Sequence, residues 1–116
     1  MAARSSGPQK SELLKGTLDM LILQTLTLQP MHGYAIAQHI HKLSKEALKI
    51  EEGSLYPALQ RILVKKWAKA EWRESPNGRR IRVYTLTAAG RKQLGLEEAK
   101  FNALYGAIAR VLRGAQ

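Results

Sequence analysis

The side chains able to do covalent or metal chemistry are few in this chain, and their spacing is wrong for it. The three histidines are His32, His39 and His41. His39 and His41 stand two apart, which on a helix points them to different faces. No His-Glu-x-x-His pattern exists to hold zinc. There is no cysteine, so thiolate nucleophiles, disulfides and cysteine-based zinc sites are excluded, and the composition suits a reducing cytosol. Glu51-Glu52 reads as an acidic pair at a helix start, favoured by the positive end of the helix dipole. Ser, His and Asp occur, but not around a nucleophile elbow, and no glycine-rich loop is present to cradle a phosphate. The expectation is a protein without catalytic residues, metal or cofactor, and not an enzyme.

Electrostatic chemistry is another matter. The 116 residues carry a net charge of +10 and a pI near 10.2. Arg61, Lys65, Lys66, Lys69, Arg73, Arg79, Arg80, Arg82, Arg91 and Lys92 fall between positions 61 and 92, opposed there only by Glu71 and Glu74. A pI above ~9 with clustered Lys and Arg is the footprint of a polyanion binder, foremost nucleic acid. Charge alone speaks to solubility and association, not to fold, so the elements that carry the cluster must decide.

Those elements can be read from periodicity. Leu14, Leu18, Leu21, Ile22, Leu26 and Leu28 predict a first helix over 13–28 with a broad buried face, stopped by Pro30. A second helix is expected from about Gly33 to Leu43, then a polar turn through SKEALKIEEG. The third is expected from Ser54, as N-cap, to Lys66, with Pro57 in its first turn. Leu55, Leu59, Ile62 and Leu63 form its apolar stripe. Ala70–Glu74 and Arg80–Thr87 read as two strands joined by Ser75-Pro76-Asn77-Gly78. A last helix begins near Ala88. Its apolar residues Leu94, Phe101, Leu104, Tyr105, Ile108 and Val111 recur at roughly heptad spacing. The fold class expected is mainly α with a small β-hairpin: a winged helix-turn-helix with a C-terminal dimerisation helix.

This order places the cations on the third helix and the hairpin, the two parts that such a fold presents to DNA. The N-terminal residues of a recognition helix reach base edges, which nominates Ser54, Tyr56, Pro57 and Gln60. Gln60 has the amide that can pair with adenine. Arg61 follows on the same helix. Arg79, Arg80 and Arg82 lie at or beside the turn, where arginine tracks phosphates or enters the minor groove. The rival is a winged helix serving protein interaction or effector sensing, with incidental DNA affinity, because an acidic partner would also satisfy the basic face.

At these residues the chain resembles the PadR family of transcriptional regulators. The marks are LDMLIL in the first helix, MHGYAIAQHI at the second, GSLYPALQRIL at the third, and EWRES followed by GRRIRVYTLTAAGRKQL through the wing. They span about Leu14 to Leu94. The resemblance implies a homodimeric bacterial repressor that binds a palindromic operator. It implies Tyr34, Ser54, Tyr56 and Pro57 as DNA-face or helix-docking residues, and Gly78-Arg79-Arg80 as the wing. One departure stands out. The family usually has a glycine between the third helix and the first wing strand, whereas here Lys66 runs straight into Trp67, as if the turn were one residue shorter.

The expected organisation is a flexible basic arm at 1–12, a DNA-binding domain at 13–88 and a dimerisation helix at 89–116. The resemblance is to the short kind, with one dimerising helix, and an amphipathic helix with no internal partner must bury its apolar face somewhere. Leu18 and Leu21 of the first helix, with Leu94, Phe101, Leu104, Tyr105, Ile108 and Val111, are the expected contacts across a two-fold axis. Some family members bind flat aromatic ligands in the dimer cleft, so a small aromatic effector is left open as a partner, with no residues assigned to it. No apolar run reaches the ~20 residues of a membrane helix, and MAARSSGPQKSE lacks the apolar centre of a signal peptide. A cytoplasmic location is expected.

Overall fold

The computed structural model describes the backbone of residues 6–114 and the side chains of residues 16–114. The element order is α1 (Ser6–Leu26), β1 (Met31–His32), α2 (Gly33–Leu43), α3 (Glu52–Val64), β2 (Ala68–Glu74), β3 (Arg80–Leu86) and α4 (Ala88–Leu112). The winged helix-turn-helix class is as expected. Helix α1 is the hub: it packs on α2, α3, α4 and β3. Its Leu18, Ile22, Leu23 and Leu26 meet Ile36 and Ile40 of α2 and Leu55, Ala58, Leu59 and Ile62 of α3 in one buried cluster. A fully buried Leu or Ile side chain contributes roughly 1.5–3 kcal/mol, so this three-helix contact holds the module together. Among the described residues, no helix is long and apolar enough to cross a membrane, and no cluster of His, Asp and Glu could hold a metal ion.

Several boundaries differ from expectation for identifiable reasons. Helix α1 starts at Ser6, so most of the segment read as a flexible arm is helical. Pro8 falls in the first turn, where a missing N–H costs nothing. Residues 1–5 of that arm lie outside the described residues. Helix α1 also ends early, at Leu26. Thr27 and Leu28 donate to the carbonyls of Gln24 and Thr25, three residues back, and this tightened turn swings Leu28 into solvent. Helix α3 starts before Ser54. The N–H groups of Ser54 and Leu55 both donate to the Glu51 carbonyl, at 2.9 and 2.8 Å. Glu51 is therefore the N-cap, in extended conformation, and Ser54 lies within the first turn. Pro57 consequently sits inside the helix, where it has no N–H to offer the Gly53 carbonyl.

The end of α3 carries the finding about the absent glycine. The turn is not shortened. Lys66 itself takes the left-handed conformation, with φ 64°. Its N–H donates to the Leu63 carbonyl and the Trp67 N–H to the Ile62 carbonyl, at 2.9 and 3.0 Å. These are the two bonds of a Schellman cap, a site that glycine fills most cheaply.

The sheet has three strands in the order β1-β3-β2, all antiparallel. The expected hairpin is thus joined by a third strand, Met31–His32, which pairs with Tyr84 and Val83. Two residues are too short for an alternation to register in sequence. The hairpin turn combines an i to i+3 bond, Gly78 N–H to the Ser75 carbonyl at 2.9 Å, with Gly78 at φ 84°. Pro76 and Asn77 are its central residues, followed by a left-handed glycine, the usual form of a three-residue hairpin loop. Ser75 reinforces it: its Oγ donates to Asn77 Oδ1 and accepts from the Arg79 N–H.

Thr87 joins the wing to α4. Its Oγ1 accepts from the Gly90 N–H at 3.0 Å, an N-cap, and donates to the Lys66 carbonyl at 2.8 Å. Its own N–H donates to the Trp67 carbonyl at 3.0 Å. A Cβ on Gly90 would stand 1.9 Å from that same carbonyl oxygen, so α4 can approach the end of α3 this closely only through glycine.

Candidate nucleic-acid interface

The exposed edge of α3 is built by elimination. Leu55, Ala58, Leu59 and Ile62 turn into the core. Tyr56, Pro57 and Gln60 are left exposed, and Ser54 half-buried. Tyr56 is half exposed, and its ring lies over the start of α2. A Cβ on Gly33 would come within 3.2 Å of Tyr56 Cε1 and 3.3 Å of its Oη. The glycine of the His-Gly-Tyr motif and the tyrosine of Gly-Ser-Leu-Tyr-Pro are thus halves of one contact, which fixes the angle between α2 and α3. Tyr34 stands beside them in solvent, its Oη accepting from Gln38 Nε2 at 3.0 Å.

The wing approaches the same edge. In the register of β2 and β3, Ala70 faces Tyr84, Trp72 faces Arg82, and Glu74 faces Arg80. Side chains two apart share a face, so Trp72, Arg80, Arg82 and Tyr84 look one way. Together with His32, Gly33, Tyr34, Tyr56 and Ile81 they line a groove of about 380 Å³ between wing and helices. Tyr84 closes its floor and is buried. Burial pushes the Tyr84 phenol above its ordinary pKa; Arg82 pulls against this and Tyr56 adds to it. Arg73 belongs to the other face and is bound by Glu71 at 2.7 Å.

The sequence-nominated residues therefore divide. Tyr34, Tyr56, Arg80 and Arg82 converge on the groove, Pro57 and Gln60 lie exposed along α3, and Arg79 stands at the wing tip. Arg61 does not join them. Its Nη2 donates to Asp19 Oδ1 at 2.8 Å and its Nε to Oδ2 at 3.4 Å, so it clamps α3 to α1. An i to i+4 stripe tells which helix face a residue leaves, but not which carboxylate a distant helix will offer. Trp72 is not among the nominated residues; the register, counted outward from the hairpin turn, sets it opposite Arg82.

The dimerisation set also divides. Leu18 and Leu94 are buried within the protomer, at 3% and 7% exposure, and Leu21 is partly buried against the same core. Leu18 and Leu94 therefore fasten α1 and α4 to the module and are not available to a second copy. Phe101, Leu104, Tyr105, Ile108 and Val111 lie beyond the module and are exposed. Phe101 and Tyr105 stack there with ring centroids 6.1 Å apart.

Comparison with known proteins agrees with this geometry. Residues 22–96 match the sequence model of the transcriptional regulator PadR-like family. An uncharacterized protein from Lysinibacillus sphaericus is 28% identical over 85 residues, 73% of this chain and 78% of that one. A transcriptional regulator from Clostridium thermocellum superposes with a TM-score of 0.80 at 25% identity, covering 86% of this chain and 97% of the other. A PadR-like transcription factor from Bacteroides fragilis is 33% identical with a TM-score of 0.69, covering 90% and 98%.

Proposed function

The chain belongs to the PadR-like family of transcriptional regulators, and from that premise we propose that it binds duplex DNA as a cytosolic homodimer and represses transcription at a palindromic operator. The observation that carries the reading is the convergence of Tyr34 and Tyr56 with Arg80 and Arg82 on one groove, with Gln60 exposed one turn beyond Tyr56 on α3. Helix α3 would enter the major groove and read bases, chiefly through Gln60 and Tyr56. The wing arginines would hold phosphates and supply affinity that salt weakens.

The apolar stripe of α4 supports the dimer. Phe101, Leu104, Tyr105, Ile108 and Val111 expose a continuous apolar patch, which marks an interaction surface on a protein otherwise rich in charge. A second copy of the same stripe would cover it isologously and set two reading heads about 10 bp, or a multiple, apart.

The test is a footprint on the DNA flanking the chain's own gene, with affinity measured against salt. Protection of two symmetric half-sites is expected. With ~6–10 phosphates engaged, affinity should fall ~10³–10⁵-fold between 50 and 200 mM salt. A salt-independent affinity, or equal affinity for random DNA, would defeat the proposal.

A further inference from the structure

Trp72 is an exposed indole on a face that would bind DNA, and it adds nothing to the core. It is 56% exposed, unlike Trp67, which packs on the core cluster. Two guanidinium groups lie against its ring. Arg80 Cζ is 4.8 Å and Arg82 Cζ 5.8 Å from the ring centroid. The register explains both: Arg82 is directly opposite Trp72, and Arg80 is its diagonal neighbour. Arginine stacks on aromatic faces through a planar, weakly hydrated cation, and a guanidinium fixed in advance loses less freedom when it meets a phosphate.

We infer that Trp72 is a positioning residue of the DNA interface: a platform that holds Arg80 and Arg82 as a fixed pair over the groove beside α3. The inference rests on the reading that this face binds DNA. Arg79, at the turn, has no such platform among the described contacts and serves as the internal comparison. The device separates two jobs in the wing, with the arginines supplying charge and Trp72 supplying order.

The full-length protein with Trp72→Ala keeps every charge. Two exposed cation–π contacts bias the arginines toward one arrangement by at most roughly five- to thirtyfold, so the substitution should weaken binding to the flanking DNA by more than about twofold and up to that factor. Trp72→Phe, which keeps a ring, should recover part of the loss. In an Arg80→Ala/Arg82→Ala background, Trp72→Ala should cost less than about twofold, because the groups it acts through are gone. A merely structural role predicts the same loss in both backgrounds and no rescue by phenylalanine, and either result overturns the inference. The second measurement needs no DNA. Side-chain Nε–Hε relaxation by NMR should show Arg80 and Arg82 more ordered than Arg79, and as mobile as Arg79 once Trp72 is alanine. Equal mobility in the unmodified protein also overturns it. If the unmodified protein fails to bind DNA, the DNA reading fails on that result alone, while the relaxation data still decide whether the platform exists.

Discussion

At the scale of single residues, this molecule's constraints are backbone ones. Lys66 holds a left-handed conformation that costs a side-chain-bearing residue about 1–2 kcal/mol. Glycine would relieve that and return part of the gain through greater freedom in the unfolded chain. Lys66→Gly should therefore stabilise the protein by about 0.5–1 kcal/mol, read as a higher urea midpoint at unchanged slope. Gly90 is the reverse case. Its missing Cβ is where the Trp67 carbonyl sits, so Gly90→Ala should destabilise by about 3 kcal/mol. Tyr84 supplies a pH signature. Its pKa is raised in the folded chain above the ordinary 10.0, chiefly by burial. The unfolded chain therefore releases this proton first, and stability from Tyr84 is intact below pH 10 and lost as pH climbs above it. Tyr84→Phe should show a shallower decline of unfolding free energy above pH 10 than the unmodified protein; parallel curves would contradict this.

At the scale of elements, the wing and the recognition helix make different demands. Replacing Arg79 and Arg80 by alanine should weaken operator and random DNA alike and lower the salt slope by about two. Replacing Gln60 should hurt operator binding selectively. Helix existence was legible in the sequence because apolar periodicity is a property of each segment alone; α2 emerged with its expected bounds, and β3 with nearly those expected. What escaped depended on partners remote in sequence. The strand Met31–His32 exists only because β3 lies beside it. Arg61 reads as a DNA contact until Asp19, 42 positions earlier, is folded against it. Ser54 reads as a cap because its hydroxyl suits one, although the backbone turns into helix three residues sooner, at Glu51. The groove itself is half legible: Tyr34, Tyr56, Arg80 and Arg82 follow from the motifs, while Trp72 needs the strand register.

At the scale of the whole molecule, the basic groove and the apolar stripe are carried by different elements. The basic wing and α3 lie at one place and the bare apolar stripe of α4 at another, within a body measuring 58 × 35 × 24 Å. In the proposed dimer the stripe makes two weak readers one strong one. Leu104→Glu with Ile108→Glu should leave each module folded, since neither residue is in the core. It should yield a monomer by light scattering and cost on the order of 10² in operator affinity. An unchanged mass would count against α4 as the interface.

The junction of Lys66, Trp67, Thr87 and Gly90 has a consequence for the DNA as well as the protein. A helix capped by Thr87, bonded back to two carbonyls and seated on a glycine is tied to the module at its base. Two modules joined through stems tied in this way would behave as callipers with a locked opening. One base pair inserted between half-sites displaces the far one by about 3.4 Å and rotates it by about 34°. Callipers that cannot flex would reject that operator, although every contacted base is still present.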